Sequence, residues 1–164
     1  MKNNYDNFSN MEKGYLEFLN ALCDCLKKDN TIWYEWMEKS KELYREKKDL
    51  SHFLSAFGGM GSFNDYSCEN KNVDVMASVL KDITYSIANA LNNEEQTRIE
   101  DILSKEYNRY IDNFNNGYGN DYMSKKLEYL TYIVKNHNTS NLHDLNTSFL
   151  INKNNNTPNT SAKK

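Results

Sequence analysis

The chain has 164 residues, a hydrophobic content of 38% and a formal net charge of −3. This length suits one domain, and a folded chain of this size buries enough surface to need no metal or disulfide for stability. The acidic balance argues against a nucleic-acid ligand, which needs clustered Lys and Arg. No run approaches the roughly 20 apolar residues of a membrane span.

The first predicted element is a helix that begins at Ser9, after a flexible N-terminus over residues 1–8. Ser9 and Glu12 have the spacing of a capping box, in which each side chain satisfies a free backbone group. Apolar residues then recur every three or four positions and predict one buried stripe. Cys23 and Cys25 lie two apart and point in different directions. This spacing argues against a shared metal and predicts one packed thiol and one near the surface.

Two more helices are predicted before a glycine-rich segment. The second begins at residue 29 or 30 and ends near 48, and the third is short and covers 50–57. Trp33 and Trp36 share the buried stripe of the second helix, whereas Tyr34 faces away from it. We therefore expect Tyr34 to be exposed and to be a candidate anchor for a partner, because tyrosine is enriched at interfaces.

The segment Gly58–Asp65 is the least ordinary part of the sequence, since it holds three of the six glycines within four positions. One interpretation is a helix-ending turn with Met60 and Phe63 in the core. The other is a ligand site in which backbone N–H groups form an anion nest. No Lys-Ser/Thr pair follows the glycines, so the segment is not a P-loop. The candidate binding residues here are Ser62, Asn64 and Asp65.

Helices four and five follow this segment. The fourth, over 72–91, is the most apolar of the chain and is expected to be central. Asn93 with Gln96 resembles another capping pair and predicts the start of the fifth. A short pair of strands near 63–68 stays open as the one alternative to helix and turn.

A turn over 115–120 precedes helix six, which is predicted over 122–136. Tyr118 and Tyr122 at this turn are further candidate anchors. A short seventh helix is predicted over 142–150. Residues 151–164 are predicted to be a disordered Asn-rich tail, because they cannot bury enough apolar surface to fold.

The predicted fold class is therefore all-α, a single-domain bundle of six or seven antiparallel helices over residues 9–150. We predict no catalytic residues, no metal and no cofactor. His52 has no nucleophile beside it by local spacing, and His137 with His143 lacks the further ligands of a metal site.

The motif at Gly58–Asp65, with Trp33 and Trp36 before it, resembles an uncharacterised family of small bacterial helical proteins that carries the signature Gly-Gly-Met-Gly-Ser-Phe-Asn-Asp. The resemblance covers about 11–91. It implies no catalytic residues, because no settled activity attaches to that family. Members look like the small proteins found as immunity factors beside bacterial toxins.

Composition and resemblance together favour a cytoplasmic protein-binding module, specifically an immunity protein that neutralises a cognate bacterial toxin domain by direct binding. Residues 151–164 hold three of the 20 basic residues and none of the 23 acidic ones, so the rest of the chain has a net charge of −6. That charge suits a basic protein partner rather than nucleic acid or a membrane. An N-terminus without an export pattern favours the cytoplasm.

Two alternatives come from other classes of function. One is a small-molecule or nucleotide-handling enzyme with a site at the Gly58–Asp65 turn, in a pocket shared with His52. The other is a structural or regulatory helical module.

Overall fold

The computed structural model describes residues 4–29, 32–138 and 140–156. These residues form seven helices and no strand, which confirms the predicted all-α bundle for this part of the chain. A 3-10 turn over Phe63–Asp65 takes the place of the alternative strand pair. The helices are α1 (Asn4–Lys27), α2 (Ile32–Lys47), α3 (Ser51–Leu54), α4 (Lys71–Asn92), α5 (Ile99–Asn113), α6 (Asp121–Asn136) and α7 (Leu142–Asn155).

The helix α4 lies at the centre of the bundle, as its apolar sequence predicts. Thirteen of its 22 residues are buried, so it is covered on more than one side. It packs most extensively on α1 and also contacts α3, α5 and α6. The helix α1 in turn contacts α2, α5 and α7, so these two helices carry most of the core.

The helices α1 and α5 come very close together at Gly14. A Cβ atom placed on Gly14 would lie 2.4 Å from Cδ1 of Ile99 and 2.9 Å from its Cγ1. Both distances are far below van der Waals contact, so only a hydrogen atom fits between the helices as they stand.

The predicted capping box at Ser9 and Glu12 is wrong, because α1 begins at Asn4 and both residues lie inside it. Glu12 instead accepts a hydrogen bond from the Tyr44 hydroxyl (3.0 Å) and pairs with Lys48 Nζ (3.1 Å). The flexible segment predicted over 1–8 is thus helical from residue 4, and residues 1–3 lie outside the described part of the chain.

The predicted start of α5 is also wrong. Asn93 is the C-cap of α4, and α5 begins only at Ile99. Glu94 between them has a positive φ of 53°. The residue in the left-handed conformation that ends α4 is thus Glu94, and Asn93 before it caps no helix N-terminus.

The helix α7 continues five residues beyond the predicted end at 150, to Asn155. Phe149 packs against the rings of Tyr129 (5.0 Å) and Tyr132 (5.5 Å), and Lys153 bonds to both carboxylate oxygens of Glu128 at 2.6 Å. These contacts explain why residues 151–155 are helical, although their composition predicts that they belong to the tail. The rest of that tail, over 157–164, lies outside the described residues, as does Asn30 at the predicted start of α2.

The thiols of α1 are both buried, which corrects the expectation of one near the surface. The reason is that α1 is covered by helices on several sides. Burial raises the pKa of Cys25 to about 12 and raises that of Cys23 as well. None of the helices in the described ranges combines the length and apolar character that crossing a membrane requires.

Candidate functional site

The glycines of the Gly58–Asp65 segment set a backbone path that other residues rarely adopt. Gly58, Gly59 and Gly61 have φ of +125°, +80° and +75°. These values lie in the left-handed region, where a side chain introduces strain. A Cβ on any of the three would meet nothing within 4 Å. The glycines therefore serve the turn's conformation and do not make room for a neighbouring part of the chain.

Two side chains of the segment close the turn on itself. The hydroxyl of Ser62 accepts from the Asn64 backbone N–H (3.3 Å), and Oδ2 of Asp65 accepts from the Gly61 N–H (2.8 Å). Phe63 is buried, as predicted, but Met60 is fully exposed, so the expectation that both enter the core is wrong for Met60. The turn thus presents a large apolar side chain to solvent at its tip.

Lys81 of α4 holds this segment from the inside. Its ammonium Nζ donates to the carbonyls of Phe63 (2.9 Å) and Tyr66 (3.4 Å) and lies 4.6 Å from the centre of the Phe63 ring. Burial lowers the pKa of Lys81, because a charged group loses its hydration in the interior. Sequence reasoning missed this residue, although a lysine within the most apolar helix is an available signal.

A cleft of about 360 Å³ opens beside Lys81, between the turn, the first half of α4 and the start of α6. Asn64, Asp65 and Tyr66 form its side on the turn, while Asp74 and Tyr122 face them from the helices. The predicted residues Asn64 and Asp65 therefore meet Tyr122, which is far from them in sequence, at one cleft.

The aromatic walls of the cleft are fixed by carboxylates. The Tyr122 hydroxyl donates to Oδ2 of Asp74 (2.8 Å), whose Oδ1 accepts from the backbone N–H of Cys68 (2.7 Å). The Tyr66 hydroxyl donates to Oδ2 of Asp29 (2.5 Å) on the far side. The pKa of Tyr122 is raised to about 12, mainly by burial and also by the hydrogen bond to Asp74. This phenol therefore stays a donor at neutral pH.

A second groove, of about 490 Å³, adjoins the cleft at Asn64, which lines both. Phe57 and Tyr85 stand at its apolar side with ring centres 4.7 Å apart. Asp82 and Arg109 line the opposite side. The two depressions adjoin at Asn64, and Met60 lies at the exposed tip of the same turn, outside both of them. We name this part of the surface the turn face and define it by Met60, Asn64, Asp65, Tyr85 and Tyr122.

Charged groups between α4, α5 and α6 support the edge of the turn face. Arg109 bonds to Oε2 of Glu106 (2.6 Å) and to Oδ2 of Asp82 (3.2 Å), and Lys126 lies 3.6 Å from the same Asp82 oxygen. Tyr110 donates its hydroxyl to Asp82 as well. These basic side chains are therefore engaged with neighbouring acids.

The other predicted residues do not join the cleft. Ser62 is half-buried and acts as the cap of the 3-10 turn. Tyr34 is half-buried and packs against the core, so the expectation that it is exposed is wrong, and it lines neither the cleft nor the groove. Tyr118 is 70% exposed in the turn between α5 and α6, and it lines neither the cleft nor the groove.

His52 lies at a different place from the cleft. Its ring stacks on Trp36 with centres 4.4 Å apart, and its Nδ1 is 2.8 Å from the Ser40 hydroxyl. Ser40 also donates to the carbonyl of Trp36 (3.0 Å) and is completely buried, so a substrate cannot reach it. The enzyme alternative needs one pocket that contains both His52 and Asp65. The cleft contains Asp65 but not His52. Within the described ranges, no three His, Cys, Asp or Glu side chains form a group that could hold a metal ion.

The fold and the turn face together define a small all-α domain that presents an irregular segment on a central helix. A family model described as a domain of unknown function (DUF6966) matches residues 26–77. The match begins at the end of α1, contains α2, α3 and the glycine turn, and stops within α4. The chain is thus similar over less than half of its length to a domain without an assigned function. No curated protein and no solved structure matches it.

Proposed function

We propose that the chain is a protein-binding module that engages its partner through the turn face, and that it acts as an immunity protein of a bacterial toxin. The observation that carries the proposal is the placement of Met60. A turn fixed by internal hydrogen bonds and by a buried lysine presents this side chain entirely to solvent. An exposed apolar side chain on a preorganised backbone suits binding, since little conformational entropy is lost when a partner covers it.

The surroundings of Met60 agree with a protein interface. Tyr85 and Tyr122 are 39% and 42% exposed, and tyrosine and methionine are both enriched at interfaces. Acidic side chains at the cleft and groove, Asp65 among them, would provide a polar rim. Aromatic or apolar anchors inside a polar rim are the usual arrangement of residues that dominate binding energy.

The immunity role is the more specific part of the proposal. Its support is the small helical domain, the acidic body of the chain and the resemblance carried by the glycine motif. Such a protein neutralises a toxin by covering a functional surface of it, and an acidic surface complements a basic one. The matched region, which includes the turn, would then contain the contact residues Met60, Asn64 and Asp65, while Tyr85 and Tyr122 lie outside it.

Co-expression with the product of the adjacent gene tests this function. We expect the two proteins to co-purify as a stoichiometric complex and the partner's toxicity to be suppressed. Met60→Ser and Tyr85→Ala should each weaken the complex, by about fivefold or more, because truncating an anchor of an interface costs at least about 1 kcal/mol.

Two exposed residues outside the turn face provide matched controls. Ile151, 53% exposed on α7, controls for Met60, and Tyr118 controls for Tyr85. Ile151→Ser and Tyr118→Ala should leave the affinity unchanged. If the neighbouring product does not bind, or if the control variants weaken binding as much as the turn-face variants do, the proposed function is wrong.

A further inference from the structure

We infer that the cleft beside Lys81 receives a cationic side chain of the protein partner, an arginine or a lysine. This inference rests on the proposed function and names the chemistry that the cleft recognises. A surface loop of a basic partner can supply such a side chain, while Met60 and Tyr85 contact the apolar surface around it.

The size of the cleft suits a single side chain of a partner. Its volume of about 360 Å³ lies at the small end of the range of ligand pockets, roughly 300–1,000 Å³. The rings of Tyr66 and Tyr122 stand at its walls, and each is held by a hydrogen bond from its hydroxyl to a carboxylate. Nζ of Lys126 already lies 5.8 Å from the centre of the Tyr122 ring. A second cation would use the opposite face of that ring or the ring of Tyr66, since aromatic faces attract a guanidinium or ammonium group by cation–π interaction.

The charge of the cleft favours a cation. Asp65 and Asp74 line it, and Asp65 is exposed at its edge. One Asp65 oxygen accepts from the Gly61 N–H, and within the described ranges the other oxygen makes no hydrogen bond to the chain. Asp65 can thus bind an incoming donor without giving up the bond that closes the turn.

Lys81 is the one basic residue that lines the cleft among those that the structure describes, and it does not compete for this role. Nζ of Lys81 is directed at the carbonyls of Phe63 and Tyr66, so its charge is already satisfied by the segment that it holds. The same contacts show the groups with which this loop can contact an alkylammonium, namely carbonyl oxygens and the ring of Phe63. An anion would instead have to displace these bonds and approach Asp65 and Asp74.

The test uses a probe that needs no knowledge of the partner. N-acetyl-arginine methylamide is titrated into the full-length ¹⁵N-labelled chain at constant ionic strength, since exposed charges are screened by salt. The citrulline analogue serves as the neutral isostere and the glutamate analogue as the anion. We expect saturable shifts of the amides of residues 61–68 with the arginine probe and none with the other two.

Variants then locate the contact. Asp65→Asn removes the charge but keeps an oxygen that can accept from Gly61, so the turn should be retained. It should weaken binding of the arginine probe about twofold to fivefold, as expected for a partly exposed ion pair. Glu46→Gln is the matched control, because Glu46 is exposed and lies far from the cleft. It is 13 residues along α2 from Trp33, roughly 20 Å at 1.5 Å per residue, and Trp33 is a residue of α2 that packs on Phe63.

The inference is overturned by equal shifts with the citrulline probe, by preferential binding of the glutamate probe, by the absence of saturable shifts, or by equal effects of the two variants. Its failure is separable from failure of the proposed function. If the adjacent gene product binds the turn face and the arginine probe does not, only the cleft's ligand is wrong. If the probe binds and no protein partner does, the protein-binding function is wrong.

Discussion

Lys81 shows how one buried residue can organise a surface. Its ammonium group occupies an interior position that burial makes unfavourable for a charge, as its lowered pKa indicates. The ammonium group donates to two carbonyls of the irregular segment, and the Phe63 carbonyl also accepts from the Tyr66 backbone N–H. Hydrogen bonds from a charged donor are stronger than those between neutral groups, so the lysine and the segment stabilise each other.

Replacement of Lys81 by methionine tests this mutual stabilisation. Lys81→Met keeps an unbranched apolar side chain but leaves the Phe63 and Tyr66 carbonyls without these bonds. We expect the free energy of unfolding, measured by urea denaturation at neutral pH, to fall by about 1–3 kcal/mol. Lys105→Met, at an exposed position of α5, should change it by less than about 0.5 kcal/mol. Equal stability of the two variants would contradict the role of Lys81.

The difference in stability between the natural chain and Lys81→Met should change with pH in a definite direction. The folded pKa of Lys81 lies below the unfolded value of 10.5, so the unfolded chain binds more protons in the interval between them. The stability contributed by position 81 therefore rises with pH across that interval. We expect the deficit of Lys81→Met relative to the natural chain to widen as the pH approaches 10.5 in a series of urea denaturations. A deficit that narrows would mean that the folded state favours the charged form.

The three cysteines provide a prediction on reactivity. All are buried, and burial raises the pKa of both Cys25 and Cys68 to about 12. Since the thiolate is the reactive form, we expect negligible alkylation of the native chain by iodoacetamide at mildly alkaline pH. In guanidinium all three should react. Mass spectrometry counts the modified thiols, and rapid native labelling of Cys68 would show that the cleft opens to it.

At the level of single elements, amphipathic stripes predict the helices well and end signals predict their boundaries poorly. The stripe of α4 places it at the centre, as observed. The failed capping pairs at Ser9 and Asn93 have the same local spacing as true caps. The caps that do form in the structure, at Asn70, Asn120 and Asn141, come from the same abundant residue type. In an Asn-rich chain, packing and not local spacing decides which candidate caps a helix.

The contact of α1 with α5 gives a prediction for a pair of elements. Gly14→Ala should destabilise the natural chain by about 1–2 kcal/mol, because overpacking against Ile99 outweighs the gain in helix propensity. With Ile99→Ala the clashing atoms are absent, and the same change should stabilise the chain by up to about 1 kcal/mol. Thermal or urea denaturation of the natural chain, the two single variants and the double variant measures the coupling free energy between the two positions. Independent effects at the two positions would rule out the close approach.

At the level of the whole molecule, the turn face depends on contacts that local patterns do not encode. Asn64 and Asp65 stand out in the sequence because of the glycines, and Tyr122 because it lies near a turn. Their meeting at one cleft depends on Lys81 and Asp74 of α4 and on the packing of α6 against that helix. The bond from Tyr122 to Asp74 spans 48 positions, so spacing alone gives no sign of it.

The matched region is not expected to fold as a separate unit. Residues 26–77 lack nearly all of α1 and the larger part of α4, which together carry most of the core. We expect a fragment of these residues to show a weak helical circular dichroism signal and no cooperative thermal transition, in contrast to the full chain. A cooperative transition of the fragment would show that α2, α3 and the turn can bury enough surface alone.

The glycine turn is fixed at its ends and exposed at its tip, Met60, and this has a consequence for how the sequence can diverge. The ends of the glycine turn are held by Phe63, Asp65 and Lys81, whereas the side chain at position 60 contacts nothing within the fold. A change at position 60 is therefore expected to leave the stability of the fold as it is. Under the proposed function such a change would alter recognition of the partner, so partner choice could diverge while the scaffold stays the same.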